Sequence, residues 1–293
     1  MADLPRPTAP SRPANPERSN RCVQAFTSVR GLSHCVRHWP RDGGPPVFLL
    51  HGLLDTGASF APMANTLRQS ADLVAPDWRG HGDSERAPNG YWFPDYVADL
   101  EGLIDALVGN QQVALVGHSM GGQIASLYAG LRPERVTHLI CLDSLNVPAT
   151  APETMPRRYR DWLAAQSRPP APRRYQGLDD LARRIHARYP ELTAAQVRQL
   201  AEDWPRPDDD GGIRLASDPL HRVPFPVAFH PEDYMAVWQQ VTAPVLCLDG
   251  GRSPASRLID AAETQRCRDC FRDVTYDLLP DCGHMLHLEQ PAA

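Results

Sequence analysis

The sequence predicts an α/β protein with a mostly parallel sheet and helices on both faces. Short apolar runs, of the kind that form buried strands, alternate along the chain with segments whose apolar residues recur at helical spacing. In one of these units the run Val113 to Val116 passes through Gly117-x-Ser119-x-Gly121 directly into a helical pattern. A strand followed at once by a helix is typical of parallel sheets, because parallel neighbours need a crossover connection.

Eight strands are predicted in chain order. Residues 22–29 and 33–39 indicate a hairpin around Gly31, and residues 47–50 form a fully apolar strand of the type that parallel sheets bury on both faces. Five further runs complete the sheet: 73–75, 113–116, 136–142, 245–248 and 274–279. Helical patterns lie between them, at 59–69, at 96–108, after Ser119 and at 255–265.

Composition limits the classes of protein to which the chain can belong. Its 293 residues are 42% hydrophobic and 22% charged, with a net charge of −5, which indicates one large globular domain or a domain with an insertion. No block of like charges predicts binding to nucleic acid, and no run of about 18 apolar residues predicts a membrane span. Seven cysteines, an odd number, and the lack of a secretory segment predict a reduced, cytoplasmic protein.

The pattern divides the chain into a tail, a core and an insertion. Residues 1–20 are rich in proline and polar residues, and we expect them to be a disordered tail. Residues 21–144 and 242–293 carry the predicted strands and form the core. Residues 145–241 interrupt the alternation but contain helical stripes and a capping box that opens at Thr193. We therefore predict a helical cap over the active site, inserted after the sixth strand.

The Gly117-x-Ser119-x-Gly121 pattern is typical of a nucleophile elbow, in which a serine occupies a tight turn between a strand and a helix. A side chain at either glycine would collide with the other arm of the turn. The turn holds the serine hydroxyl clear of the backbone, at a helix N-terminus whose dipole and free N–H groups favour developing negative charge. Ser119 is therefore the predicted nucleophile.

Five segments together resemble the α/β-hydrolase fold superfamily: HGLLDTGASF, APDWRGHGDS, VALVGHSMGG, RPERVTHLICLDS and DCGHMLHLEQP. They cover the core from about residue 22 to 144 and again from 244 to 293. The insertion, with YQGLDDLARRIHARYPELTAAQVRQLAEDW, is similar to the serine hydrolase-like branch of that superfamily. The resemblance implies an eight-stranded α/β-hydrolase sheet and catalytic residues in the chain order serine, acid, histidine.

The resemblance also implies roles for individual residues around Ser119. His284, just beyond the last strand, is the expected base that takes the serine proton. Two backbone N–H groups, those of Leu53 and Met120, are expected to form the oxyanion hole. The other histidines near these motifs are expected to be structural: His51, His81 and His287.

The acid of the triad is where the chain departs from the superfamily pattern. Members most often carry it in the loop after the seventh strand, but here that position holds Ser253. Asp143, at the end of the sixth strand, is the alternative position in some branches and is the acid that we predict. Asp249, at the end of the seventh strand, remains a second candidate, and the absence of any triad acid remains a third.

These residues predict a cofactor-independent serine hydrolase that cleaves a carboxylic ester or thioester through an acyl-enzyme intermediate. The histidines, cysteines and carboxylates do not fall at metal-ligand spacing along the chain, so neither a metal nor another cofactor is expected. The expected partner is a small-molecule acyl substrate, and the oligomeric state is not predicted. Two alternatives stay open: a carbon–carbon bond hydrolase or lyase with the same triad, and a non-catalytic ligand-binding protein with the same fold.

Overall fold

The computed structural model describes residues 22–41, 43–88, 90–208 and 211–293, most of which are organised around an eight-stranded sheet. The strands are β1 (Val23–Val29), β2 (Leu32–Trp39), β3 (Val47–Leu50), β4 (Leu73–Pro76), β5 (Val113–His118), β6 (Val136–Leu142), β7 (Val245–Gly250) and β8 (Val274–Leu279). Their order in the sheet is β1-β2-β4-β3-β5-β6-β7-β8. Within this sheet β2 alone runs in the direction opposite to the other seven strands, so the predicted mostly parallel sheet is confirmed.

Helices connect the strands and form the segment between β6 and β7. They are α1 (Ala61–Leu67), α2 (Phe93–Val108), α3 (Met120–Leu131), α4 (Met155–Ser167), α5 (Leu178–Arg188), α6 (Ala194–Asp203), α7 (Pro231–Trp238), α8 (Ala261–Arg268) and α9 (Leu286–Glu289). The connections β3–α1–β4 and β5–α3–β6 are the helical crossovers that parallel strands require.

Alternate side chains of the central strands enter two hydrophobic clusters, so both faces of the sheet are covered. In β3, Phe48 and Leu50 belong to a cluster that includes residues of α2 and α3. Leu49 belongs to the other cluster, together with Phe60 and with Ala64 of α1. This alternation follows from strand geometry, in which successive side chains point to opposite faces.

The segment between β6 and β7 has a small core of its own. Besides α4 to α7, its described residues form three short antiparallel strands: Arg174–Tyr175, Pro205–Pro207 and Ile213–Leu215. The capping box expected at Thr193 is present at the start of α6, where the Thr193 hydroxyl accepts from the Gln196 N–H. Apolar residues of α5 and α6 form a separate cluster with Met285 and Leu288, whereas α7 packs into the larger cluster of the sheet.

The helix expected at 59–69 is observed as α1, Ala61–Leu67, and two other helices also differ from the sequence expectation, each for a local reason. α2 begins at Phe93, three residues earlier than predicted, with Pro94 in its first turn, where the missing N–H of proline costs nothing. The helix expected at 255–265 is split into a 3₁₀ turn at Pro254–Arg257 and α8. The side chain of Asp260 caps the N-terminus of α8, which fixes the start of that helix.

The predicted tail at residues 1–20 lies outside the described residues. In the part of the chain that the structure describes, no helix is long and apolar enough to cross a membrane. The six cysteines from Cys35 to Cys282 are buried free thiols.

Candidate active site

The turn between β5 and α3 holds Ser119 at a φ of 52° and a ψ of −120°. Few non-glycine residues adopt a positive φ, because Cβ crowds the backbone there, and such strain is common at active sites. A Cβ atom at Gly117 would lie 2.5 Å from the Gly121 carbonyl oxygen, and one at Gly121 would collide with the Leu50 carbonyl. The turn therefore requires both glycines, and it leaves Ser119 at the N-cap of α3.

The loop that follows β3 packs directly against this turn. A Cβ atom at Gly52 would lie 3.1 Å from Ser119 Cβ, so the glycine allows the loop and the turn to approach closely. The next residue, Leu53, lines the same cavity as Ser119 and Met120. The structure thus brings the two expected oxyanion-hole residues together with the expected nucleophile.

His51 and His81 use both ring nitrogens to hold this region in place. His51 Nε2 accepts from the Trp78 N–H at 2.9 Å, and its Nδ1–H donates to the Gly52 carbonyl at 2.8 Å. His81 Nε2 accepts from the Leu54 N–H at 3.2 Å, and its Nδ1–H donates to a backbone carbonyl at 3.0 Å. Burial lowers the pKa of His51 to about 4 and that of His81 well below its usual value, so both rings are neutral at neutral pH. These contacts agree with structural roles.

His284, in the loop between β8 and α9, forms a short hydrogen bond with Asp143. Its Nδ1–H donates to Asp143 Oδ2 at 2.5 Å. The buried carboxylate also accepts from the Ser253 hydroxyl and from the Gly250 N–H. Three donors fix the orientation of the carboxylate, and the bond at Nδ1 leaves Nε2 of His284 as the nitrogen that can accept a proton.

Asp249 lies close to Asp143 but faces different partners. Its carboxylate accepts from Asn146 Nδ2 at 3.4 Å and from the Tyr276 hydroxyl at 3.3 Å, and it is 3.8 Å from the Arg268 guanidinium. Burial, together with the negative charge of Asp143, raises the pKa of Asp249. The structure therefore brings the expected base to Asp143 and not to Asp249.

Ser253 is a functional candidate that the sequence analysis missed. It occupies the position where the superfamily pattern expects an acid, and its fully buried hydroxyl donates to Asp143 Oδ2. The same oxygen accepts from His284. A small hydroxyl residue after β7, combined with an aspartate after β6, is the sequence signal that could have revealed this contact.

His118, the residue before Ser119, contacts His284. Within the described residues no hydrogen bond joins Ser119 Oγ to the His284 imidazole, but His118 Nε2–H donates to the His284 carbonyl at 2.7 Å. The rings of His118 and His284 lie 4.7 Å apart. In unliganded active sites the hydrogen bond between nucleophile and base is often long and tightens when substrate binds.

A buried cluster behind the turn has the residue types of a metal site. Asp55, His118 and His287 each offer a ligand atom, and these atoms lie within 4.8 Å of one another. Internal hydrogen bonds already involve them, since the Ser59 hydroxyl donates to Asp55 at 2.7 Å and accepts from His287 Nε2 at 3.1 Å. Burial lowers the pKa of His287 to about 3 and raises that of Asp55 to about 6. We read the cluster as an internal polar network and assign no ion to it.

A cavity of about 1070 Å³ opens beside the turn and is lined by Ser119, Leu53 and Met120. Most of its remaining walls come from α2, α3, α7 and residues 221–230, and Arg158 of α4 also lines it. Apolar and aromatic side chains predominate in these walls, as is typical of small-molecule sites. The expected nucleophile and oxyanion-hole residues therefore face a large apolar cavity, whereas His284 stands outside its lining.

Comparisons with known proteins agree with this architecture. A family model described as alpha/beta hydrolase fold matches residues 45–291. The 2-(acetamidomethylene)succinate hydrolase of Mesorhizobium japonicum is 26% identical over 251 residues, which are 86% of this chain and 85% of that protein. A serine hydrolase-like protein of Danio rerio is 38% identical over 108 residues, 36% of this chain and 33% of that protein. Among solved structures, the thioesterase domain from the curacin biosynthetic pathway matches with a TM-score of 0.81 and 25% identity, over 93% of this chain and 97% of that domain.

Proposed function

This chain belongs to the α/β-hydrolase fold family, and we propose that it is a serine hydrolase that cleaves a carboxylic ester or thioester through an acyl-enzyme intermediate. The observation that carries the proposal is the hydrogen bond from His284 Nδ1 to Asp143, placed beside the strained turn at Ser119. The similar proteins named as hydrolases, and the thioesterase domain, support hydrolysis as the class of reaction.

In the proposed reaction Ser119 Oγ attacks the acyl carbon while His284 Nε2 takes its proton, because a serine hydroxyl is a poor nucleophile until a base accepts that proton. Asp143 holds the imidazole in the required tautomer and stabilises the imidazolium that forms. The backbone N–H groups of Leu53 and Met120 bind the oxyanion of the tetrahedral intermediate. One such donor contributes about 3 kcal/mol to transition-state stabilisation.

The second half of the reaction uses the same groups. The His284 imidazolium gives its proton to the leaving alcohol or thiol as the acyl–oxygen or acyl–sulfur bond breaks, and the acyl group remains on Ser119. His284 then takes a proton from a water molecule, which attacks the acyl-enzyme. Collapse of this second tetrahedral intermediate releases the carboxylic acid and returns the proton to Ser119.

A fluorophosphonate probe tests the nucleophile, because it labels only an activated serine. We expect one label on the wild-type protein and none on Ser119→Ala. Ser28→Ala, which removes an exposed serine of β1, is the matched control and should label like the wild type. A label that survives Ser119→Ala would contradict the assignment of Ser119, and an unlabelled wild-type protein would favour the ligand-binding alternative.

We also propose that the segment between β6 and β7 covers the site as a cap. Phe225 and Phe229 of this segment line the same cavity as Ser119. Trp204 Nε1–H donates at 2.7 Å to Asp55, which lies in the loop expected to carry the oxyanion donor. The segment therefore contributes both a wall of the cavity and a contact to the catalytic loop.

The cap proposal predicts that this wall sets the preference among esters. Phe229→Ala should change the ratio of kcat/KM values for a bulky and a small ester, because it removes part of the cavity wall. Tyr159→Ala, which truncates an exposed aromatic residue of α4 outside the cavity, should leave the ratio unchanged. The same ratio in wild type and Phe229→Ala would count against a cap.

A further inference from the structure

The cavity beside Ser119 follows one row of residues along α3. Ser119, Gln123, Leu127 and Leu131 all line it. Residues four apart are neighbours on a helix surface, so these four form a row that starts at the expected nucleophile and winds around α3 by about 40° at each step. With a rise of 1.5 Å per residue, the row is about 18 Å long.

Two other helices contribute parallel walls. Phe93, Val97 and Glu101 of α2 line the cavity at the same four-residue spacing, and Tyr234 and Val237 add residues of α7. Apolar side chains on a helix face, such as Leu127, Leu131 and Val97, normally pack against another element of secondary structure. Here they line the cavity instead, and we call the part of it between these three helices the groove.

The far end of the groove is open to solvent. The two charged residues there, Glu101 and Arg132, form an ion pair. Arg132 Nε lies 2.9 Å from Glu101 Oε1, so these two lining residues neutralise each other. Leu131, at the end of the row, is 52% exposed. An occupant can therefore extend along the whole row and reach solvent at Leu131.

We propose that this groove binds an extended, unbranched hydrocarbon chain of the substrate, from Ser119 towards Leu131. An extended chain would cover the apolar side chains of these rows, whereas a short polar substrate would leave them facing water. The inference rests on the proposed function, which places the scissile bond at Ser119. The chain can belong to the acyl or to the alcohol side of the ester, and the experiment separates the two.

Two substrate series test the proposal. One runs from p-nitrophenyl acetate to p-nitrophenyl hexadecanoate, and the other runs from ethyl acetate to hexadecyl acetate, both kept below the concentration at which they aggregate. In one series we expect kcat/KM to rise by up to roughly fourfold for each buried methylene and to level off once the chain passes the open end. A rise in the first series assigns the groove to the acyl group, and a rise in the second assigns it to the alcohol. Flat profiles in both would overturn the proposal.

Variants locate the chain within the groove. Leu127→Trp fills the middle of the row and should lower the ratio of kcat/KM for the long-chain and the two-carbon substrate by at least about tenfold, the effect of a few methylenes. Leu107→Trp, at an exposed position of α2 outside the cavity, is the matched control and should keep the wild-type ratio. If Leu127→Trp does not fold, Leu131→Glu at the half-exposed end should lower the ratio for the longest chains only. A ratio unchanged in the folded variant would overturn the proposal.

A binding measurement separates this proposal from the proposed function. Ser119→Ala should bind the fluorescent fatty acid cis-parinaric acid, and dodecanoate or dodecanol should displace it whereas acetate should not. Chain binding in a protein that reacts with no fluorophosphonate would retain the groove and reject the serine hydrolase. Serine labelling in the wild type without chain binding by Ser119→Ala would do the reverse.

Discussion

Two neighbouring strands of the sheet lead to an aspartate, but only one of these carboxylates contacts the expected base. In the register of β6 and β7, Leu142 lies opposite Leu248, so Asp143 and Asp249 follow at equivalent positions. Asp143 has left β6 with a φ of 47°, whereas Asp249 continues β7. The positive φ marks a turn of the backbone at Asp143, and its carboxylate accepts from His284.

The comparison of Asp143 with Asp249 indicates that a carboxylate at the end of a strand is not by itself a triad acid. Asp143 is surrounded by donors: an imidazole, a hydroxyl and a backbone N–H. Asp249 is buried, and it lies beside the negative charge of Asp143. Burial and this charge both raise the pKa of Asp249, so its ionised form is disfavoured. The backbone turn and the donors, rather than position in the sheet, favour Asp143 as the residue that orients His284.

The largest expected effect is that of Asp143→Asn. The amide cannot serve as an anionic acceptor for His284 Nδ1–H, so the wrong tautomer is favoured and the imidazolium loses its counter-charge. We expect kcat/KM on one ester to fall by about 10⁴-fold, the loss known for the equivalent substitution in a serine protease. Asp249→Asn is the matched control and should cost about fivefold or less, the worth of an ordinary hydrogen bond. Circular dichroism should first establish that both variants are folded, and an exchange of the two results would make Asp249 the acid.

The nucleophile turn and the strands could be predicted because their signals are local. The glycines at 117 and 121 are required by the tight turn itself, and the central strand β3, Val47–Leu50, is a continuous apolar run. The prediction of Asp143 as the acid came from the resemblance to the superfamily and not from a local signal. The surroundings of Asp143 include a positive φ and a hydroxyl 110 residues later in the chain, at Ser253, which no local pattern reveals.

Other parts of the site also depend on tertiary packing. The cavity wall joins α3 to residues that follow it by about a hundred positions, and Asp55 meets His287 only in the folded chain. Spacing along the sequence therefore gave no sign of that buried cluster. The helical stripes between β6 and β7 were visible, but which of their side chains face the cavity depends on how α7 packs against α3.

An intermediate effect is expected for Ser253→Ala, which removes one donor to Asp143 and so acts through the acid rather than on the substrate. Loss of a hydrogen bond to a charged group costs about 1.5–3 kcal/mol, so we expect kcat to fall roughly 10- to 100-fold with little change in KM. Ser253→Thr keeps the hydroxyl and should restore part of the activity.

A double-mutant cycle separates positioning from a general loss of structure. If Ser253 acts by fixing Asp143, adding Ser253→Ala to Asp143→Asn should lower kcat little further, because the two residues share one task. A fully additive loss in the double variant would show that Ser253 affects activity by another route, and the difference between the two strand ends would lose its support.

The smallest expected effect is that of Asp249, at the end of β7, on how the free energy of unfolding depends on pH. A carboxyl group whose pKa is raised by folding stabilises the protein at pH values below the unfolded pKa of about 3.9, and that contribution is lost as the pH rises through the folded value. The free energy of unfolding of the wild type should therefore fall relative to that of Asp249→Asn as the pH rises from about 3.5 towards neutrality. Urea denaturation of both proteins across this range measures the difference, in which the contributions of the other titrating groups cancel.

Asp277→Asn, at an exposed position of β8, is the control for removing a charge that is not buried. A difference that moves in favour of the wild type with rising pH would show that Arg268 and Tyr276 stabilise the Asp249 carboxylate after all. Asp249 would then be as well placed to carry a charge as Asp143, and the contrast would rest on the contact with His284 alone.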